Sequence, residues 1–200
     1  MFGLISGFVS WYFSKTEVKV LVLGLDNAGK TTVLESLKLL FASDKAGSVP
    51  LDSILPTVGL NMGRLEAHGC DVTLWDLGGQ QSFRSIWDKY YEDADVLIYV
   101  VDAADEERFD EARLTLQTLL EHPEASKLPV LVLANKSDLP LAHDANALNT
   151  LFDMKGIQTQ RTGRLLMASA ITSKGLDSAM EWVIETVKTL KEKAEETAGR

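Results

Sequence analysis

The sequence has little of what several common protein classes require. It contains one cysteine, Cys70, and three histidines among 200 residues, which excludes a disulfide framework and a zinc site built from several cysteines. No run of about 18 apolar residues occurs, so no segment is predicted to cross a bilayer. Acidic residues outnumber basic ones, 29 to 20, and the net charge of -9 argues against binding nucleic acid or anionic lipid through charge alone.

The residues that are present describe an ordinary globular chain. The length suits one domain, and a hydrophobic content of 46% with 24% charged residues is enough to bury a substantial core. We therefore expect a soluble, acidic, intracellular domain that is monomeric and does not bind nucleic acid.

The first 14 residues differ from the rest. They lack the positive region and the cleavage site of a signal peptide. At helical spacing their apolar side chains share one broad face, and glycine and serine occupy the other. The apolar face consists of Phe2, Ile5, Phe8, Val9, Tyr12 and Phe13. We predict an amphipathic helix over residues 1–16, and the pattern leaves open whether it packs on its own domain, on a membrane or on a receptor.

From residue 17 onward, hydrophobic strands alternate with helices. Strands are predicted over 18–23, 62–67, 71–75, 96–101, 130–134 and 165–168, and helices over 31–41, from 105 and over 175–194. This alternation indicates an α/β fold, a mainly parallel sheet with helices on both faces. The long irregular connection over 42–57 is typical of a functional loop. The domain is assigned to 17–194 and a charged tail to 195–200, with fraying predicted from Lys191.

Residues 24–31, GLDNAGKT, match the phosphate-binding pattern G-x-x-x-x-G-K-[ST] between a strand and a helix. The glycines would let backbone N–H groups approach phosphates. Lys30 would reach the β- and γ-phosphates, and the Thr31 hydroxyl would bind Mg²⁺. The residues assigned to this loop are Gly24, Leu25, Asp26, Asn27, Ala28, Gly29, Lys30, Thr31 and Thr32. By itself the motif leaves an ATPase, a small-molecule kinase and a GTPase open.

A second motif, NKSD over 135–138, directly follows a predicted strand. The Asp138 carboxylate could accept hydrogen bonds from N1–H and the 2-amino group of guanine, and adenine offers neither donor. Asn135 and Lys136 are assigned to the same base site. Ser169 and Ala170, after the next strand, fit a backbone contact to guanine O6. The predicted base is therefore guanine.

A third motif, WDLGGQ over 75–80, supplies the chemistry at the γ-phosphate. Asp76 ends a strand and would hold Mg²⁺, with Thr57 from the long connection as a second ligand. The Gly79 N–H would contact the γ-phosphate, and Gln80 would orient the attacking water as the catalytic residue. No arginine is evident near Thr57, so we expect intrinsic hydrolysis of order 10⁻³ s⁻¹ or below, with a partner supplying an arginine finger.

In order, GLDNAGKT, PTVGLN, WDLGGQ, NKSD and SAIT resemble the small GTPases of the ADP-ribosylation factor family across the whole chain. The resemblance implies a six-stranded sheet with one antiparallel strand, and GTP or GDP with Mg²⁺. It implies an exchange factor and a GTPase-activating protein as partners, and nucleotide-sensitive segments around Thr57 and over 78–91. It also implies an N-terminal helix that is released when GTP moves the hairpin over 62–75. Effector contacts are implied at Leu60, Trp75 and Tyr90, where Leu60 replaces the usual phenylalanine.

Further features narrow the resemblance. Phe2 stands where myristoylated members have glycine, and the connection before Thr57 is several residues longer than in ordinary members. Residues 77–91 and 105–108 are similar to the ADP-ribosylation-factor-related branch. That branch implies a switch recruited to trans-Golgi membranes by a membrane receptor protein, regulating vesicle trafficking. The alternatives are another branch or organelle, a phosphotransferase, and a nucleotide-binding module with little turnover.

Two other clusters are interpreted as structural. His68, Cys70 and Asp71 have the side chains of a thiol triad, but they flank a predicted turn at Gly69. The acidic residues over 105–111 are interpreted as the start of a helix and a solvated face.

Overall fold

The computed structural model of the protein describes residues 15–41 and 51–198. Residues 1–14 of the predicted N-terminal helix and most of the long connection lie outside the described residues, and the end predicted for that helix is wrong, because Thr16 begins a strand. Six strands form one sheet in the order β2-β3-β1-β4-β5-β6. The strands are β1 (Thr16–Leu23), β2 (Leu60–Ala67), β3 (Cys70–Leu77), β4 (Val96–Asp102), β5 (Val130–Asn135) and β6 (Gly163–Met167). All neighbours pair in parallel except β2 and β3, which confirms the predicted mostly parallel sheet with one antiparallel strand.

Helices pack on both faces of this sheet. They are α1 (Lys30–Phe41), α2 (Phe109–Glu121), α3 (Ala145–Leu151), α4 (Met154–Gln160) and α5 (Leu176–Ala198). One long 3₁₀ segment covers Gln81–Tyr90, and three short ones cover Leu51–Ser53, Glu106–Arg108 and Ala125–Lys127. Within the described ranges, no helix combines the length and the apolar character needed to span a membrane.

The alternation of side chains along each strand divides the core in two. In β1, Val18, Val20 and Val22 pack with α1 and α5 on one face, and Leu21 and Leu23 pack with α2, α3 and α4 on the other. All of these side chains are fully buried. Because both faces of a parallel sheet are covered, its strands read as continuous hydrophobic runs. The loops at the carboxyl ends of the strands remain free for a ligand.

The element boundaries differ from the prediction in three further places. The short helices α3 and α4 were not predicted; the side chain of Asp144 caps the first by accepting from the N–H groups of Asn146 and Ala147. The helix expected from residue 105 begins as a 3₁₀ turn and becomes α-helical at Phe109. The predicted fraying from Lys191 is wrong, because α5 continues to Ala198 and Lys191 donates to the Glu17 carbonyl.

Candidate functional site

The loop between β1 and α1 has a backbone that requires glycine at both ends. Gly24 has a φ of 141° and Gly29 a φ of 90°, values that side chains rarely tolerate. A Cβ on Gly24 would lie 2.2 Å from the Val100 carbonyl oxygen, and one on Gly29 would lie 2.4 Å from the Asn135 amide nitrogen. The loop is therefore pressed against β4 and β5, and its central residues face a cavity.

That cavity, which we call the phosphate cavity, has a volume of about 250 Å³. It brings together most of the residues that the sequence assigns to phosphates and catalysis. Its lining includes Asp26, Asn27, Gly29, Lys30, Thr31, Thr32, Thr57, Gly79, Gln80 and Lys136. The other loop residues, Gly24, Leu25 and Ala28, are not part of this lining. Leu25 and Ala28 are buried, and the Ala28 carbonyl accepts from the Asn135 amide.

Lys30 is the buried cation of the phosphate cavity. Only 6% of the residue is exposed, and its Nζ donates to the Leu25 carbonyl at 2.8 Å. Burial lowers the pKa of Lys30 to about 8, although the nearby carboxylates of Asp76 and Asp26 oppose this effect. A buried ammonium group is costly unless an anion accompanies it. The position therefore suits a phosphate group.

Three oxygen-bearing side chains converge beside Lys30. The Thr31 hydroxyl donates to Asp76 Oδ2 at 2.7 Å and lies 2.7 Å from the Thr57 hydroxyl, which is itself 3.1 Å from Asp76 Oδ2. Asp76 is fully buried, and its Oδ1 has no hydrogen-bond partner among the described residues. Burial raises the pKa of Asp76, and the hydrogen bonds from the threonines counteract this rise. Oxygen ligands around an unpaired buried carboxylate oxygen fit Mg²⁺.

Gly79 and Gln80 reach the phosphate cavity from the end of β3. A Cβ on Gly79 would lie 2.4 Å from the carbonyl carbon of Leu25 and 2.5 Å from the Asp26 nitrogen, so only glycine allows this approach. Gln80 follows with an exposed side chain in the lining of the same cavity. It precedes the 3₁₀ segment over Gln81–Tyr90 without capping it through its side chain. Gln80 is therefore free to contact a molecule in the cavity.

A second cavity of about 130 Å³, the base cavity, lies beside the first. It is lined by Gly29, Thr32, Asn135, Lys136, Asp138, Leu139, Ala170 and Ile171. The exposed carboxylate of Asp138 provides this cavity with a hydrogen-bond acceptor. The exposed side chain of Ile171 provides an apolar surface. Leu139 and Ile171 were not assigned to the site from the sequence. An apolar residue next to a polar motif carries no local signal of ligand contact.

Of the predicted base residues, only Ser169 is absent from the lining of the base cavity, but several of the others use their polar groups within the fold. Asn135 is buried; its amide donates to the Ala28 carbonyl, and its Oδ1 accepts from the Ala170 N–H, both at 2.9 Å. Asn135 thus joins the phosphate loop to the loop after β6, and a contact of the Ala170 N–H with guanine O6 would have to share that donor. Ser169 is buried, and its Oγ accepts from the Thr172 N–H at 3.1 Å. Lys136, with a φ of 61°, pairs with Asp102 at 2.6 Å.

Two arginines missed by the sequence analysis contact the site. Arg108 donates to the carbonyl and to Oδ1 of Asp26, both at 2.9 Å, and Arg84 donates to the Gly79 carbonyl at 3.0 Å. Glu111 pairs with both arginines, so the acidic cluster over 105–111 is not only a solvated face. The sequence separation of 82 residues between Arg108 and Asp26 explains why no local pattern indicated this contact.

The remaining candidate residues have structural partners. His68 pairs with Asp177 at 3.3 Å and Cys70 is fully buried at the start of β3, so these side chains form no thiol triad. In the ranges 15–41 and 51–198, no group of three or more His, Cys, Asp and Glu side chains is placed to hold a metal ion. The rings of Trp75 and Tyr90 lie 5.9 Å apart, and Leu60 is exposed on the edge strand β2.

Comparison with known proteins identifies relatives along nearly the whole chain. A model of the ADP-ribosylation factor family matches residues 5–187. The chain is 39% identical over 188 residues to ADP-ribosylation factor-related protein 1 from Bos taurus and from Homo sapiens, covering 94% of this chain and 93% of each relative. It also resembles the structure of the Arl6 BBS3 small GTPase from Trypanosoma brucei with bound nucleotide analogue GppNp. The TM-score is 0.76, the identity is 28%, and the match covers 87% of this chain and 99% of that chain.

Proposed function

The chain belongs to the ADP-ribosylation factor family, and from this premise we propose that it is a switch recruited to trans-Golgi membranes, where it regulates vesicle trafficking. As a member of this family it binds GTP and GDP with Mg²⁺ and hydrolyses GTP. One observation carries the assignment of its site: Lys30, Thr31, Thr57 and Gln80 line a single cavity that adjoins the base cavity.

Each residue of the phosphate cavity has a role in binding that follows from its contacts. Lys30 would neutralise the β- and γ-phosphates, since its buried charge needs an anion. Thr31, Thr57 and Asp76 would hold Mg²⁺, and when bound that ion neutralises charge on the phosphate oxygens. Asp138 would select guanine through the donors on N1 and on the 2-amino group.

Hydrolysis requires a water positioned in line with the γ-phosphorus. Gln80 would orient this water through its side-chain amide. In the reaction, a bond forms between the water oxygen and the γ-phosphorus while the bond from that phosphorus to the β,γ-bridging oxygen breaks, and the products are GDP and phosphate. Arg84 and Arg108 are already hydrogen-bonded to Gly79 and Asp26, and neither lines the phosphate cavity. We therefore propose that an activating protein supplies an arginine finger. Without that protein, we expect GTP hydrolysis at an intrinsic rate of about 10⁻³ s⁻¹ or less.

The catalytic assignment is tested by Gln80→Leu with Gln81→Leu as the matched control, because Gln81 is an exposed neighbour that does not line the cavity. We expect Gln80→Leu to bind GTP with wild-type affinity and to lose at least about a hundredfold of the hydrolysis stimulated by the activating protein. Phosphate release under multiple turnover is the measurement. Stimulated hydrolysis at the wild-type rate in Gln80→Leu would remove Gln80 from catalysis.

The same assay distinguishes the alternatives. A phosphotransferase would transfer the phosphate to a second substrate rather than release it. A nucleotide-binding module with little turnover would bind GTP and release no phosphate even with an activating protein present. Retention of Lys30, Thr31, Thr57, Asp76 and Gln80 in one place favours a GTPase that completes its cycle.

The membrane and partner assignments rest on the similarity to ADP-ribosylation factor-related protein 1 and on the residue pattern. We propose a monomer that contacts effectors through the exposed Leu60 and the neighbouring rings of Trp75 and Tyr90. We also propose that the helix predicted from the N-terminal sequence contacts a Golgi receptor protein. Imaging of the GTP-locked Gln80→Leu and the GDP-locked Thr31→Asn forms tests this. Only the first should coincide with a trans-Golgi marker; coincidence with another organelle would assign another branch.

A further inference from the structure

An acidic side chain stands in the phosphate cavity, where repulsion of a phosphate is expected. Asp26 lines this cavity together with Lys30 and Gln80, and its side chain is 35% exposed. A carboxylate in such a place opposes the binding of anions, and the opposition grows with the charge of the anion. GTP carries one negative charge more than GDP, so an unpaired Asp26 would disfavour GTP more strongly.

Arg108 holds this carboxylate. One of its terminal nitrogens donates to the Asp26 carbonyl and the other to Asp26 Oδ1, both at 2.9 Å. The contact therefore fixes the backbone and the side chain of the same residue. Desolvation by itself would raise the pKa of Asp26, but the hydrogen bond and the charge of Arg108 outweigh it and lower that pKa. Asp26 therefore remains an ionised carboxylate, and the positive charge of Arg108 compensates its negative charge.

A second pair completes a neutral cluster. Glu111 accepts from Arg108 at 3.0 Å and from Arg84 at 2.7 Å, so it lies between the two arginines. Arg84 in turn donates to the Gly79 carbonyl at 3.0 Å. Two arginines and two carboxylates balance in charge, and they connect α2 to both sides of the phosphate cavity. Removing Arg108 would leave one uncompensated negative charge at the cavity.

We propose that Arg108 is a positioning residue for nucleotide selection: by holding the Asp26 carboxylate, it allows GTP to bind in competition with GDP. The proposal rests on the guanine-nucleotide function proposed above. It assigns two separable effects to one side chain. The contact with the Asp26 carbonyl orients the loop for either nucleotide, whereas the contact with the carboxylate acts mainly on the nucleotide with the additional charge.

The test is the ratio of the affinities for GTPγS and GDP, measured by competition against a fluorescent GDP with Mg²⁺ present. In Arg108→Ala we expect this ratio to fall about tenfold or more, because one unit charge is left uncompensated near the additional phosphate. Arg108→Lys keeps the charge and should retain most of the ratio. Arg113→Ala is the matched control, because Arg113 lies in α2, which begins directly after Arg108, and pairs only with the exposed Asp110 and Gln117 among the described contacts.

The double variant Asp26→Ala/Arg108→Ala separates charge from loop structure. It lacks the carboxylate, so the affinity ratio should return to at least the wild-type value even if both affinities fall. Equal losses for GTPγS and GDP in Arg108→Ala, or no recovery in the double variant, would overturn the proposal. If Arg108→Ala does not fold, as judged by thermal melting, Arg108→Gln is measured in its place. Failure of the wild type to prefer guanine over adenine nucleotides would instead refute the proposed function itself.

Discussion

Lys30 and Asp76 place opposite charges in surroundings from which water is almost excluded. Burial acts on them in opposite directions, lowering the pKa of Lys30 to about 8 and raising that of Asp76. Each change disfavours the ionised form, which is the form that phosphate or Mg²⁺ requires. The ligands thus relieve an electrostatic cost that the fold creates, and perturbed pKa values of this kind are typical of functional sites.

The low pKa of Lys30 predicts a proton uptake on nucleotide binding. Above pH 8 the lysine of the nucleotide-free protein is mostly neutral, and bound phosphates would restore its charge and raise its pKa. The affinity for GDP should therefore fall above pH 8, by at most about tenfold per pH unit. NMR of ¹³C-labelled lysine, with the signal assigned through Lys30→Arg, should show titration near pH 8 that moves upward when GDP is added.

Two results would contradict this prediction. A Lys30 signal that does not titrate below pH 10 in the nucleotide-free protein would show that its charge is already compensated. A signal that is unchanged by GDP would separate Lys30 from the phosphates. Isothermal titration in two buffers of different ionisation enthalpy gives an independent count of the protons taken up.

The motif residues were predictable because each motif is local in sequence, whereas the contacts between motifs were not. Glycines at 24 and 29 and the NKSD segment are recognisable from the residue pattern alone. That Asn135 joins two loops, or that Arg108 pairs with Asp26, depends on which strand ends become neighbours. The order β3-β1-β4-β5 decides this, and no single sequence window contains it.

At the level of elements, hydrophobic content decided which segments could be predicted. The strands of the parallel sheet are buried on both faces, so their apolar runs stand out, and the predicted positions agree within a few residues. α3 and α4 have seven residues each, with one buried residue in each, so their amphipathic signal is too weak to detect. The last turns of α5 consist mainly of charged residues, which resembles a solvated tail.

Contacts with the sheet explain why α5 continues beyond Lys191. The Lys191 ammonium donates to the Glu17 carbonyl at 2.8 Å and pairs with Asp95 at 3.0 Å, and Asp95 also accepts from the Lys19 N–H. Lys191→Ala should therefore lower the free energy of unfolding by about 0.5 to 1 kcal/mol, a small value because the pair is partly exposed. Urea unfolding of the GDP-bound protein measures it.

Lys193→Ala is the matched control, because its side chain is exposed two residues further along the same helix. That substitution should leave the midpoint of unfolding within error of the wild type. Equal effects of the two substitutions would mean that Lys191 contributes through helix propensity alone, and that its contacts with β1 and with Asp95 add nothing measurable.

At the scale of the whole molecule, the ligand-binding cavities and the packed core lie in different parts of the fold. The two core layers lie on opposite faces of the sheet, and the phosphate and base cavities are lined by loops at the carboxyl ends of the strands. Switching requires that some of these loops respond to the γ-phosphate. Thr57 and Gly79 are placed to do so, because both line the phosphate cavity and both adjoin the antiparallel hairpin of β2 and β3. A change at the nucleotide could therefore reach the edge of the sheet.

The proposed membrane recruitment concerns the whole molecule, because neither the surface of the described residues nor the net charge provides an evident attachment. The net charge of -9 gives no attraction to anionic lipid, so the proposal depends on the apolar face predicted within residues 1–14 and on a receptor protein. In the GTP-locked Gln80→Leu background, Phe8→Glu places a charge on that face, and Ser10→Glu places the same charge on the opposite one. We expect Phe8→Glu to lose most of its flotation with Golgi-enriched membranes and Ser10→Glu to keep it, with nucleotide affinity unchanged in both. Protein-free liposomes made from the lipids of those membranes should bind neither variant nor their parent; tight binding of the parent to such liposomes would eliminate the receptor from this mechanism.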